Sequence, residues 1–142
     1  TKRVPASIFK SFMSKVLKRS NCRFFLMTGN NIDELKIMDE IIESEYKEYC
    51  TPLNNFTIKE ILPIIPNCQI AICNDSSFSH LSAGLGIKTI VLMVDTPLIY
   101  GSYNKNMYPI LPEGETNVTH DTLGKDKINP EEIYNKFEKL LG

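Results

Sequence analysis

The chain has 142 residues, 42% hydrophobic and 23% charged, with a formal net charge of -1. One ordinary domain of that size buries a core without help from a disulfide or a metal. The near-neutral balance argues against a nucleic-acid partner, which needs a strongly basic face, and no apolar run has the length of a membrane span or the make-up of a signal peptide.

Cys22, Cys50, Cys68 and Cys73 form no CxxC pair and only 2 His are present, so neither a zinc site nor another metal is expected. Cys22, Cys68 and Cys73 fall in apolar runs and read as reduced core thiols of a cytosolic protein. In that compartment the sequons at Asn55, Asn74 and Asn117 carry no meaning. The basic stretch Lys2, Arg3, Lys10, Lys15, Lys18, Arg19, Arg23 reads either as a solvated helix face or as a peripheral contact with the anionic inner membrane. The abrupt opening at Thr1-Lys2-Arg3-Val4-Pro5, without an initiator Met, reads as a segment of a longer protein.

In chain order, residues 5–20 carry apolar side chains at helical spacing (Ile8, Phe9, Phe12, Met13, Val16), with Pro5 suited to the first turn. Residues 22–28 read as a buried strand ended by Gly29-Asn30-Asn31, and residues 32–47 as a second helix. A short extended piece at 49–53 precedes a helix over 57–65, limited by Pro63 and Pro66. Residues 69–73 form an apolar strand, after which Asn74-Asp75-Ser76-Ser77 turns into a helix ending at Gly86. Residues 88–94 are another buried strand, 95–108 a polar and aromatic loop, and 112–129 a loose connection. Asn129, Pro130 and Glu132 open a last helix as cap, first position and third position. Alternating strands and helices predict an α/β fold, a parallel sheet flanked by helices.

Ligands of such sheets bind beyond the carboxyl ends of the strands. A helix starting there offers free N–H groups and a partial positive charge, a natural diphosphate site. Ser76, Ser77 and Ser79 add hydroxyl donors, and His80 stands in the first turn. The plainer alternative is that Asp75 or Ser76 merely caps the helix, that His80 is structural, and that Lys2 is solvated surface.

Three segments together resemble glycosyltransferase family 9, the bacterial heptosyltransferases. Lys2-Arg3-Val4-Pro5 resembles the Lys-Arg-Trp-Pro box of the family's second domain. Asn74 to Gly86 resembles its Asp-Ser/Thr-Gly-x-x-His-Leu-x-Ala-Ala-Leu signature. Thr96-Pro97 and Gly101-Ser102-Tyr103-Asn104-Lys105-Asn106 resemble its Gly-Pro-Thr-x-Pro loop and the Gly-Tyr-Gly-Lys-Asn stretch after it.

The resemblance implies a Rossmann-like domain, the C-terminal half of a GT-B fold. It would hold a nucleotide-sugar donor, typically ADP-heptose, for metal-independent, cofactor-free, inverting transfer onto the lipopolysaccharide core. It implies donor-phosphate contacts from Lys2 and from the backbone of Ser76, Ser77 and Phe78. Asp75 and His80 would support the donor sugar and the loop, and Asp33 and Phe56 would meet the nucleoside. The general base and the contacts to the lipid-linked saccharide acceptor would belong to an N-terminal domain outside this chain. Val4 stands where the family has Trp, Ser77 where it has Gly, Gly84 where it has Ala, and Met93-Val94-Asp95 where it has aromatic-Gly-Pro. Ser77 adds a Cβ where backbone meets phosphate, and Asp95 adds negative charge near a diphosphate unless it faces away. Two further readings are a non-catalytic nucleotide-sugar-binding module and a GT-B transferase or epimerase using another nucleotide sugar.

Overall fold

The computed structural model describes residues 3–141. Helix α1 (Ala6–Arg19) begins after extended Pro5 and stops at Ser20, with Lys18 and Arg19 complementing the carbonyl end of its dipole. It buries Phe12, Met13 and Val16 against α5 (Pro130–Leu141), where Phe12 meets Phe137 edge-to-face at 5.5 Å. The expected cap of α5 is present, with Asn129 Oδ1 accepting from the Glu131 N–H at 2.9 Å.

All the paired strands are parallel. Strand β1 (Phe24–Leu26) pairs with β2 (Cys50–Pro52), and β3 (Ala71–Asn74), β4 (Thr89–Leu92) and β5 (Met107–Ile110) form a sheet in that order. Ile90, Val91 and Leu92 of β4 are 0% exposed, as a strand covered on both faces requires. The α/β class is as expected, but the strands fall into two sheets. The edge of β1 faces that of β3 across an apolar cleft of about 980 Å³, walled by Phe24, Leu26, Ile70 and Ile72. The Arg23 guanidinium donates to Glu48 O and Thr51 Oγ1, both on the β2 side, and adds to the β1–β2 ladder.

Local chemistry shortens or adds elements. Helix α2 (Ile32–Ile42) ends early because the Ser44 hydroxyl takes the Ile41 carbonyl at 2.6 Å and then accepts from the Tyr46 N–H. Thr57 and Glu60 form a reciprocal capping box that opens α3 (Ile58–Ile61), and Pro63 prevents its extension to 65. Strand β5 occupies part of the segment read as loop. Pro109 disguised it, since proline enters sheets at edges, and β5 pairs only with β4.

Helix α4 (Ser77–Gly84) closes in a Schellman turn. Gly86 (φ +87°) donates to Ala83 O and Ile87 to Ser82 O. The connection over 112–129 is irregular but tied down. Gly124 N–H bonds Val94 O at 2.8 Å, and Val118 and Ile128 are buried. No helix among the described residues is long and apolar enough to cross a membrane.

Two expectations test this packing. Gly101 is buried, and a Cβ there would lie 2.3 Å from Met93 Sδ, whereas one on Gly84 would meet nothing within 4 Å. Gly101→Ala should therefore cost about 1–3 kcal/mol in urea denaturation. Gly84→Ala should be neutral or stabilising by up to about 1 kcal/mol. Equal effects would contradict the packing of the 98–106 loop on β4.

The second concerns Cys73, whose thiol burial pushes from 9.0 up to about 12 against a smaller downward pull from the Ser82 hydroxyl. The unfolded chain loses that proton first, so the thiol's contribution to stability is complete below about pH 9 and fades as pH rises towards 12. Denaturation midpoints measured over that window should fall more steeply for the unaltered chain than for Cys73→Ala. Parallel slopes would show a solvated thiol.

Candidate functional site

Strand β3 ends at Asn74, whose side-chain carbonyl accepts from the Val4 N–H at 3.1 Å. That bond brings the start of the described chain to the carboxyl edge of the sheet. Lys2, expected on the phosphates, lies outside the described residues.

Past Asn74 the chain turns through Asp75 and extended Ser76 (φ −153°, ψ 174°) into α4. Ser79 braces the turn from beneath. It is fully buried, its hydroxyl donates to Ser76 O at 2.7 Å, and its N–H reaches the same carbonyl at 3.1 Å. Among the described residues, the N–H groups of Ser77 and Phe78, the first two helical positions, have no acceptor. Two free amides at the positive end of a helix make a cradle for an anion. Ser77 is exposed, so its Cβ points clear of the fold, while Phe78 packs on the cluster of Leu53, Ile61 and Ile65.

Asp75 and His80 come together. Asp75 Oδ1 lies 3.8 Å from His80 Nε2, and the Asp75 side chain is 9% exposed. The other ring nitrogen, Nδ1, is 2.6 Å from the Tyr103 hydroxyl, and the two rings stack. Tyr103 went unnoticed as a site residue, although it stands in the third segment of the resemblance.

Phe56 lines a pocket of about 230 Å³ at the carboxyl ends of β1 and β2, with Gly29, Asn30, Asn54, Thr57 and Phe78 among its other walls. Phe78 thus borders both the pocket and the amide cradle. Thr28, also in the pocket wall, has a buried hydroxyl without a partner. Asp33 is not brought to this pocket. It is exposed on the first turn of α2, where Asn31 Oδ1 holds its N–H at 2.8 Å.

The neighbouring Glu34 pairs instead with Arg3 at 3.8 Å. Arg3 borders the cleft together with Asp75 and Ser76, and its Nε is buried without a hydrogen bond. The only sequence signal for this second cation was its place beside Lys2. Asp95 is engaged by the protein itself. It is 5% exposed and accepts from the Leu123 N–H at 2.9 Å.

Comparison with known proteins shows the family and the fold. Residues 1–127 match the profile of glycosyltransferase family 9 (heptosyltransferase). Among solved structures, E. coli heptosyltransferase WaaC with ADP superposes with a TM-score of 0.79 at 18% identity, covering 98% of this chain and 40% of that one. E. coli ADP-heptose lps heptosyltransferase II gives 0.73 at 17% identity, covering 99% and 42%. WaaC with ADP-2-deoxy-2-fluoro heptose gives 0.73 at 16% identity, covering 97% and 39%. The chain therefore spans about 40% of the length of these enzymes. No protein of curated function matches it in sequence at a significant level. With the profile covering most of its length and the fold shared, the chain belongs to glycosyltransferase family 9.

Proposed function

We propose that this chain is the donor-binding half of a heptosyltransferase, holding an ADP-sugar of the ADP-heptose type for transfer to the lipopolysaccharide inner core. The observation that carries this reading is the pair of unpartnered amides at Ser77 and Phe78 beside the Phe56 pocket, with Phe78 bordering both. A nucleoside diphosphate has that shape of demand: an aromatic wall for the base and donors for the phosphates. The solved WaaC structures carry ADP and an ADP-heptose analogue, which supports the same ligand class here.

In this reading the base lies against Phe56 and the diphosphate on the free amides of Ser77 and Phe78, while the Ser76 N–H stays with Ser79 Oγ. Asp33, exposed on the first turn of α2 and outside the pocket wall, would have to turn in to reach the ribose hydroxyls. Asp75 and His80 hold the loop under the donor sugar. As the glycosidic bond breaks, the leaving diphosphate gains negative charge. The helix amides stabilise it without moving, and one such donor is worth about 3 kcal/mol in a transition state. Arg3 adds a cation. Lys2, two positions before Val4 in the sequence, is kept for the donor phosphates. The general base and the acceptor contacts are expected outside this chain, so the chain alone should bind donor and transfer nothing.

Titration calorimetry should show weak ADP binding, near the millimolar end of the scale at about −4 to −5 kcal/mol. UDP and GDP should bind less well. Amide shifts should be largest at Ser77 and Phe78, and Phe56→Ala should weaken ADP by about tenfold through the lost ring contact. No heat with any of the three nucleotides, or shifts confined to another face, would sink the proposal.

A further inference from the structure

We infer that Tyr103 is a positioning residue of the diphosphate cradle, acting through His80; this rests on the donor-site reading above. An imidazole has two nitrogens, and here one is hydrogen-bonded while the other faces a carboxylate. Nε2 faces the Asp75 carboxylate at 3.8 Å, and Nδ1 meets the Tyr103 hydroxyl at 2.6 Å. In the neutral ring, a carboxylate favours the proton on the nitrogen that faces it. Nε2 then carries the hydrogen, Nδ1 keeps its lone pair, and the Tyr103 O–H donates to it. The stack of the two rings, 5.5 Å between centroids and 21° from parallel, fixes the plane of the imidazole as well.

Tyr103 can do this because its loop is held independently of His80. Gly101 is buried against Met93, Ser102 Oγ donates to Leu98 O at 2.9 Å, and the Asn106 side-chain amide donates to Ala83 O at 3.1 Å. The loop is thus fastened to β4 and to the far end of α4, and it presents the hydroxyl to the helix start. Asp75 is the group that needs holding. Its carboxylate stands immediately before Ser76 and the free amides, where a loose negative charge would repel a diphosphate. An Nε2–H aimed at it keeps that charge turned towards the ring. Tyr103 is itself 56% exposed, so its hydroxyl contributes little to the core.

Tyr103→Phe removes the hydroxyl and leaves the stack. Long-range 1H–15N spectra report the tautomer directly, since the chain has only 2 His and exposed His120 serves as internal reference. The unaltered chain should show the proton on Nε2 of His80, and Tyr103→Phe should shift the population towards Nδ1. ADP affinity should fall about three- to tenfold in that variant, the effect of one lost hydrogen bond, while adenosine affinity stays the same. Tyr103→Leu, which also removes the stack, should lose more ADP affinity and again spare adenosine. An unchanged tautomer in Tyr103→Phe, or equal losses of ADP and adenosine, would overturn the inference and leave Tyr103 a packing residue. If the unaltered chain binds no ADP, the donor reading fails and the positioning role with it; the tautomer shift would then mark only a structural Tyr103–His80 link.

Discussion

Parallel pairing of β3 with β4 decides where the polar chemistry of this chain can sit. In the register Ala71↔Thr89 to Asn74↔Leu92 the two strands finish level, so the turn at Asn74–Ser76 and the segment after Leu92 leave the sheet at one edge. Burial of β4 on both faces makes that edge rigid, since a slip in register would move apolar residues out of a packed interior. Helix α4 lies close over the same strands because its inner face is small: Ser79, Ser82 and Ala83 are at most 1% exposed. Their polar atoms are satisfied locally. The Ser82 hydroxyl bonds Phe78 O at 2.9 Å and meets Thr89 Oγ1 at 3.0 Å. Seating α4 leaves no buried hydroxyl of Ser79 or Ser82 unpaired and points its first two amides outward.

The Phe56 pocket belongs to the other sheet. Its floor comes from the ends of β1 and β2, which no hydrogen bond joins to β3 among the described residues. The apolar cluster of Leu53, Ile61 and Ile65, packed with Met27 from one side and Phe78 and Leu81 from the other, relates the two halves. Hydrophobic contact is non-directional, so it fixes this relation less tightly than a strand ladder would. Phe78 has two parts in consequence: its side chain ties the halves together and its N–H belongs to the cradle.

The order of elements was legible because periodicity survives in a single sequence. Phe12, Met13 and Val16 marked α1, the run through Ile90 to Leu92 marked β4, and Asn129-Pro130 marked the start of α5. What escaped was set by interactions between distant or unlikely partners. Pro109 hid β5, whose edge position excuses a missing donor. Arg23 links β1 to the β2 side through a carbonyl and a hydroxyl more than twenty positions away, which no local pattern announces. At the site, Asp75, Ser76, Ser77, Phe78 and His80 converge because one turn carries them all. Asp33 was placed by spacing alone and stands on an exposed helix turn, and Tyr103 reaches His80 from a loop whose path only the fold defines.

The departures from the family's pattern bear on how such a motif works. Val4, standing for Trp, is fully buried, yet its contact with Asn74 is made by a backbone N–H that any residue but proline supplies. Ser77, standing for Gly, occupies the first position of a helix, where its Cβ meets solvent. Asp95 brings a charge, but the carboxylate accepts from Leu123, a residue held at φ +50°, a conformation that disfavours a Leu unless its surroundings compensate. In all three places the cradle depends on main-chain atoms fixed by β3, β4 and α4. Side chains can therefore change around it as long as they leave the path of the backbone alone.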